Sequence, residues 1–288
     1  MSLTDTVTRR VSRREGQRSH VLSRRDIFIW AAAILFINQV YGVIKETPAA
    51  SVEVLDPLAV SIFQYLAWYA VFRLLGSSDL APAARLRDFL VTAALCLLVF
   101  LPSDRAIWAA ATGIAIYLFL TDTGDRKLRG AGIVLAALSV QELWGRLFFN
   151  LMADHLLRAE AAVIGTMLEV AQPGTVWQDN AIRGPNGHGV VIIAGCSSFH
   201  NLSLALLCWV TISRLRCQTW QVRDFVIGGA IGITMILLNM ARILLMAWNA
   251  ELYDYWHNGT GAEIFEIGAS LTVLLMSLYG SRLAGRPT

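Results

Sequence analysis

The chain has 288 residues, of which 56% are hydrophobic and 16% are charged, and its mean hydropathy is +0.54. This composition excludes an ordinary soluble globular protein and indicates a polytopic membrane protein. The net charge of +3 is small, so the positions of the basic residues tell more than their total.

Eight apolar segments have the length, or nearly the length, of a transmembrane helix. In chain order they are residues 27–44, 58–75, 89–101, 106–120, 131–149, 199–213, 225–248 and 263–281, of which the third and fourth are short. The sequence therefore predicts an all-α polytopic membrane protein with about eight transmembrane helices.

A single transmembrane domain at 27–281 follows from this arrangement, between basic cytoplasmic tails at 1–26 and 282–288. We divide this domain into scaffold helices (27–149), an outer amphipathic helix with a lip (151–195), and helices that carry the candidate chemistry (196–281).

The basic residues occupy alternate connections between the apolar segments. Seven lie in the N-terminal tail, three around 73–87, three in 126–129, three in 214–223 and two in the C-terminal tail, which accounts for 18 of the 24 Lys and Arg. The positive-inside rule then predicts that both termini are cytoplasmic. The first apolar run is followed by Lys45-Glu46-Thr47-Pro48, without a small-residue cleavage site, so we expect a signal anchor.

Two charged residues, Glu142 and Arg146, lie inside the fifth segment, four positions apart and so on one helix face. Charges within a membrane span usually face the protein interior and pair with one another. We therefore predict a structural ion pair here.

The stretch from 151 to 170 has an amphipathic helical pattern, which predicts an element half-immersed at the outer surface or a ninth, weakly apolar one. Gly and Pro residues then separate short β-prone pieces that end at 190–194. These pieces predict a small extracytoplasmic β-like lip that leads directly to Cys196.

The four cysteines differ in their predicted depth. Cys96 and Cys208 fall inside spans, Cys217 falls in a basic cytoplasmic loop, and Cys196 lies at an outer helix end. Their spacing suggests neither a disulfide framework nor a zinc site, so we expect no metal and no cofactor.

Three reactive groups are predicted at the outer ends of neighbouring segments. Cys196 precedes a helix that begins near Ser197 and Ser198, whose hydroxyls can cap it, and the positive helix N-terminus favours thiolate. Arg242 shares a helix face with Asn239 near the outer boundary, and His257 lies in a short outer loop. Together they supply a nucleophile, a cation for an oxyanion and a proton-transfer group.

These residues resemble the pattern of the exosortase/archaeosortase family of membrane-embedded cysteine transpeptidases. That pattern has a Cys-Ser-Gly-like motif at a helix start, Asn-x-x-Arg near the end of the next helix, and His with Gly four residues on. This chain has Cys196-Ser197-Ser198, Asn239-Met240-Ala241-Arg242, and His257 with Gly261. Ser198 stands where the family commonly has glycine, which suggests a divergent subgroup.

The resemblance implies an enzyme of a bacterial or archaeal cytoplasmic membrane that cleaves the C-terminal sorting signal of secreted proteins at the outer face. Such a signal is a short motif, a transmembrane helix and a basic end. Cys196 would be the nucleophile, Arg242 the oxyanion stabiliser and His257 the acid and base, supported by Ser197, Asn239 and Gly261. The expected partners are the sorting-signal helix and membrane lipid, with no nucleic acid. The acceptor nucleophile, whether water, a lipid amine or a glycan, is left open.

Alternatives remain open at this point. His200 rivals His257 as the base because it follows Cys196 by four residues on the same helix face. A polytopic transporter would also explain the helices and the intramembrane charges, and a noncatalytic assembly factor for envelope polysaccharide is a further possibility.

Overall fold

The computed structural model describes residues 22–46, 61–78, 83–101, 103–121, 124–216 and 220–284. Most of the predicted N-terminal tail, the last four residues of the C-terminal tail, and Cys217 lie outside these ranges.

The described residues are mostly helical, which confirms the helical part of the predicted fold class. Their α-helices are α1 (Arg24–Glu46), α2 (Ile62–Gly76), α3 (Leu86–Leu97), α4 (Asp104–Leu120), α5 (Arg126–Ser139), α6 (Gly145–Ala171), α7 (Ser198–Arg216), α8 (Val222–Trp248), α9 (Ala250–His257) and α10 (Thr260–Ala284). Short 3-10 turns follow α3 at Leu98–Phe100 and precede α7 at Ala194–Cys196.

Three helical stretches of the described chain are long and apolar enough to cross a membrane: Arg126–Ala171, Val222–Trp248 and Thr260–Leu283. Length and composition therefore support a helical membrane protein but not the count of eight spans. Length accounts for three of the five missing spans, since α2, α3 and α4 have only 15, 12 and 17 residues, below the roughly 20 that a bilayer core requires. The other two, α1 and α7, have 23 and 19 residues, so their length is not the reason.

The longest helix joins two elements that the sequence analysis separated. A π-helical turn at Val140–Trp144 links α5 to α6, with the backbone N–H of Gly145 bonded to the carbonyl of Val140. The predicted fifth span and the amphipathic stretch are thus one helix of 46 residues, about 69 Å long at 1.5 Å per residue. Phe149-Asn150-Leu151 contains no Gly or Pro that would end a helix.

The predicted lip is present as a three-stranded antiparallel sheet in the order β1-β2-β3. Its strands are β1 (Val176–Gln178), β2 (Ala181–Arg183) and β3 (Gly189–Val191). Its inner face packs on α6 and α8 through buried Ile182, Val190 and Ile192. The Trp177 ring lies so close to Gly165 of α6 that an added Cβ there would stand 2.8 Å from it.

The lip also holds the end of α8. His188 Nε2 lies 2.9 Å from the carbonyl oxygen of Met246, and Asn186 Nδ2 donates to that of Trp248 at 3.4 Å. These carbonyls lie in the last turn of the helix, where no intrahelical donor follows. The lip therefore fixes the part of α8 that carries the candidate site residues.

Two hydrophobic clusters hold the helices together. The larger is built mainly from α1, α2, α4 and α5, and the smaller from α7, α8 and α10. They meet where Phe63 of α2 enters the smaller cluster and Leu207 of α7 enters the larger one.

The basic connections meet at one end of the bundle. Arg24 pairs with Asp88 at 3.2 Å and donates to the carbonyl of Thr121 at 2.8 Å. Near the other terminus, Arg223 donates to the carbonyl of Leu283 at 2.8 Å. The alternating charge pattern predicts such a common end, and its cytoplasmic location stays a prediction.

Candidate functional site

Cys196 ends the 3-10 turn before α7 and is half-buried. Two residues later, the N-terminus of α7 is capped by a side chain from α6. The carboxylate of Glu160 accepts hydrogen bonds from Ser198 N at 3.1 Å and from Ser198 Oγ at 2.5 Å. The expectation that serine hydroxyls cap this helix is therefore corrected. Ser197 Oγ is buried without a hydrogen-bond partner among the described residues, and a carboxylate is the stronger acceptor for an N–H group.

Asn239 of α8 connects Cys196 to the next helix and is buried, with 1% exposure. Its Nδ2 donates to the carbonyl oxygen of Cys196 at 2.8 Å and to Ser198 Oγ at 3.2 Å. Its Oδ1 accepts from Asn201 Nδ2 at 3.0 Å. Because both N–H groups and the carbonyl of this amide are engaged, the backbone at Cys196 is fixed relative to α8.

Arg242 follows Asn239 by three residues on α8, so the two side chains share a face. Its Nε and one terminal nitrogen both donate to the carbonyl oxygen of Trp256, at 3.1 and 2.9 Å. The guanidinium lies over the Phe265 ring, 4.8 Å from the ring centre. No carboxylate pairs with Arg242 within the described ranges, so its positive charge is not neutralised there.

His257 is the last residue of α9, next to the carbonyl that Arg242 binds. Its ring stacks on Tyr253 at 4.8 Å, and its Nδ1 lies 2.8 Å from Asn258 Oδ1. His188 approaches the same Tyr253 edge-on at 5.8 Å. The imidazole of His257 is thus held in one orientation, as a proton-transfer group requires.

Gly261 has a steric role. A Cβ at this position would stand 2.5 Å from Tyr255 Cε1 and 2.8 Å from the Tyr255 carbonyl oxygen. Only glycine therefore allows α10 to begin directly beneath α9, which keeps the His257 segment close to Arg242.

A continuous set of contacts brings Cys196, Arg242 and His257 to the same end of α8. Asn239 binds the backbone of Cys196, and Arg242 binds the residue before His257. Among the described residues, no hydrogen bond joins the three side chains directly. In enzymes without substrate, such bonds are often long and shorten only when the substrate is bound.

A cavity of about 1240 Å³ opens beside this site. Gly195, Asn201 and Arg242 line it on the site's side, and apolar residues of α2, α7 and α10 line much of the remainder. Its volume exceeds the roughly 300–1,000 Å³ of common small-molecule pockets. The cavity therefore has room for a segment larger than a small metabolite.

The predicted ion pair forms part of the cavity wall. Arg146 and Glu142 approach to 2.7 Å, and the side chain of Glu142 is only 9% exposed. Gln64 of α2 donates to Gln141 at 2.8 Å and also to Glu142. The π-helical turn places Gln141 and Glu142 together on this wall, and such turns are frequent at functional sites.

The four-residue helical spacing from Cys196 to His200 does not apply in the structure, because the helix begins at Ser198 and Cys196 belongs to the preceding 3-10 turn. His200 is exposed on the first turn of α7 and lines the cavity. No hydrogen bond holds its ring among the described residues, in contrast to His257.

No family model matches the chain, and neither a curated protein nor a solved structure shows significant similarity to it. The site geometry alone therefore carries the functional argument.

Three side chains of the site were missed from the sequence: Glu160, Asn201 and His188. Asn201 follows Ser198 by three residues, so its helix face was predictable. Glu160 reaches Ser198 across 38 residues, and His188 reaches Met246 across 58. No local pattern gives such pairings.

Within the described ranges, no group of three or more His, Cys, Asp or Glu residues could hold a metal ion.

Proposed function

We propose that this protein is a membrane-embedded cysteine protease or transpeptidase of the exosortase type. It cleaves the C-terminal sorting signal of secreted proteins at the outer face of the cytoplasmic membrane. The observation that carries this proposal is the hydrogen bonding of Asn239, which ties the Cys196 backbone to the helix that presents Arg242. The proposal includes eight spans with both termini cytoplasmic, the shorter helices crossing a locally thinned bilayer.

In the proposed mechanism, the Cys196 thiolate attacks the scissile carbonyl carbon and forms a tetrahedral oxyanion. Arg242 stabilises this oxyanion, since its two bonds to Trp256 leave further N–H groups of the guanidinium for it. His257 protonates the leaving amine as the C–N bond breaks, which leaves a thioester on Cys196. His257 then accepts a proton from water, a lipid amine or a glycan hydroxyl, which attacks the thioester carbonyl; the C–S bond breaks, and the Cys196 thiolate and protonated His257 are restored.

The cavity would hold the substrate segment next to the scissile bond. Its apolar residues suit the start of a transmembrane helix, and Arg242 and Asn201 lie where its wall meets the Cys196 segment. The scissile bond must lie outside the lipid-buried helix of the tail, because a helix in lipid exposes no free carbonyl.

The test is mass spectrometry of the mature C-terminus of a candidate secreted substrate, expressed in cells with wild-type or Cys196→Ala protein. We expect the tail to remain uncleaved with Cys196→Ala and to be removed normally with Cys96→Ala. Normal processing by Cys196→Ala would overturn the proposal.

The cavity and the Glu142–Arg146 pair also favour a second function, transport of a polar solute across the membrane. Thiol labelling from outside the cell separates the two. The protease predicts rapid labelling of Cys196 that falls when Arg242 is replaced, whereas a transporter predicts labelling that does not depend on Arg242. The noncatalytic assembly factor has no structural observation in its favour.

A further inference from the structure

A directional chain of hydrogen bonds runs past the nucleophile. Asn201 donates to Asn239, Asn239 donates to Ser198 Oγ, and Ser198 Oγ donates to Glu160. Every donor points toward Glu160, which ends the chain. The branch from Asn239 to the carbonyl of Cys196 attaches the nucleophile to this chain.

The chemistry of the groups fixes this direction. A hydroxyl has one proton, so Ser198 Oγ accepts from Asn239 Nδ2 with that proton pointing away from the amide. Glu160 supplies the required acceptor, and its other bond to the backbone N–H of Ser198 holds it in place. Without that acceptor, the Ser198 hydroxyl would be free to turn and donate to Asn239 Oδ1. It would then compete with Asn201 for that oxygen and disturb the amide that binds Cys196.

We propose that Glu160 is a positioning residue for Cys196 and acts through Ser198 and Asn239. Its importance for catalysis rests on the proposed function above. The proposal also explains why this chain has serine and not glycine at position 198, since glycine has no hydroxyl to bridge Glu160 and Asn239. Glu160 and Ser198 thus form one functional pair, contributed by α6 and α7.

Glu160 also brings a negative charge to the N-terminus of α7, two residues from Cys196. This charge opposes the positive end of the helix dipole, which otherwise favours thiolate. Two variants separate charge from geometry. Glu160→Gln removes the charge and keeps an amide oxygen as acceptor, whereas Ser198→Gly keeps the charge and removes the bridge.

The first measurement is the rate of Cys196 alkylation at one fixed pH, followed by peptide mass spectrometry on the purified full-length protein. We expect Glu160→Gln to raise this rate several-fold, because it removes the negative charge at the N-terminus of α7. The matched control is Glu169→Gln, an exposed residue nine positions further along the same helix, which should leave the rate unchanged. If the two variants were alkylated at the same rate, Glu160 would not act on Cys196 and the proposal would be overturned.

The second measurement is a double-mutant cycle on substrate processing. Glu160→Ala and Ser198→Gly should each slow processing about tenfold, and the double variant should be little slower than either single one, because both break the same chain. Two effects that multiply would show that the residues act independently, against the proposal. Thermal unfolding of each variant separates loss of positioning from loss of the fold.

These results remain separate from the proposed function. If Cys196→Ala still processes substrate, the protease assignment fails, yet the alkylation rates still report whether Glu160 acts on Cys196. If Cys196 is essential and either Glu160 measurement gives its contradicting outcome, the protease assignment stands and the positioning role fails.

Discussion

At the scale of single residues, Arg242 is held by features that only arginine offers. Its two donors to the Trp256 carbonyl and its stacking on Phe265 both need a planar guanidinium. Lysine would keep the charge and lose this geometry. We expect Arg242→Lys to lower the rate of processing by about 10²–10³-fold, the usual loss for one oxyanion donor.

The control for this variant is Arg183→Lys in β2, an exposed arginine of the lip, which should process at the wild-type rate. Processing by Arg242→Lys within a few-fold of wild type would show that a positive charge alone suffices and that the guanidinium does not bind the oxyanion.

The three histidines of the site differ in how they are held. His257 is oriented by Tyr253 and Asn258, His188 is engaged by the carbonyl of Met246, and His200 faces the cavity. We expect His257→Ala to slow processing by about 10²–10⁴-fold, as loss of an acid and base does, and His200→Ala to retain most activity. Single-turnover cleavage assays with purified variants decide between them. The reverse ranking would transfer the proton-transfer role to His200.

Much of this residue-scale arrangement was predictable. Cys196, Asn239 and Arg242 were found because helix ends and three-residue spacing are local signals. The capping of α7 was predicted from Ser197 and Ser198, but the cap comes from Glu160. Contacts over 38 residues depend on how α6 passes α7, which spacing along the chain does not encode.

At the scale of elements, the π-helical turn concentrates polar groups inside the bundle. Glu142 accepts from Arg146 and Gln64; removing its carboxylate leaves Arg146, whose side chain is 66% exposed, without its ion-pair partner, while Gln64 keeps its bond to Gln141. We expect Glu142→Leu to reduce the stability by about 0.5–1.5 kcal/mol, the usual net contribution of a hydrogen bond, and to lower the thermal midpoint. The double variant Glu142→Leu with Arg146→Leu should recover part of the loss, because no unpaired arginine remains.

Thermal unfolding in detergent measures both variants, with Glu169→Leu on the exposed face of α6 as the control. A double variant less stable than Glu142→Leu alone would mean that Arg146 has another role that the ion pair does not explain.

The elements themselves were predicted well, and their boundaries less so. Each of the eight apolar segments overlaps a helix, and the glycine-bearing pieces before Cys196 form the sheet. The join between the fifth segment and the amphipathic stretch was missed because the hydropathy falls near residue 150 while the helical propensity does not. Hydropathy therefore marks where a helix leaves an apolar environment and does not mark where it ends.

At the scale of the whole molecule, the buried carboxylate of Asp88 stabilises the end of the bundle where the basic connections lie, through its ion pair with Arg24. Asp88 lies just before the predicted third span and accepts bonds from Tyr117 and from the backbone N–H of Arg85. Burial by itself raises the pKa of Asp88, but these bonds and the charge of Arg24 bring that pKa below its usual value. Because the folded state holds the ionised form, this stabilisation is present above the unfolded pKa of about 3.9 and is lost as pH falls through the folded pKa.

We expect Asp88→Asn to lower the thermal midpoint at pH 7 and to lose less stability than wild type when the pH is reduced toward 4 and below. Thermal scans over this pH range measure the effect, with Asp254→Asn in exposed α9 as the control. If wild type and Asp88→Asn lost stability in parallel as the pH fell, Asp88 would not be the group that senses acid.

The helix of 46 residues has a mechanical consequence. Glu142 and Glu160 lie on it 18 positions apart, about 27 Å along the axis. A change in tilt of roughly 5° would move Glu160 sideways by about 2 Å relative to Glu142, more than a hydrogen bond to Ser198 tolerates. In a bilayer, the tilt of a long helix depends on the thickness of the surrounding lipid. We expect processing in reconstituted vesicles to peak at one acyl-chain length, and Ser198→Gly, which lacks the hydroxyl between Glu160 and Asn239, to respond less to lipid thickness.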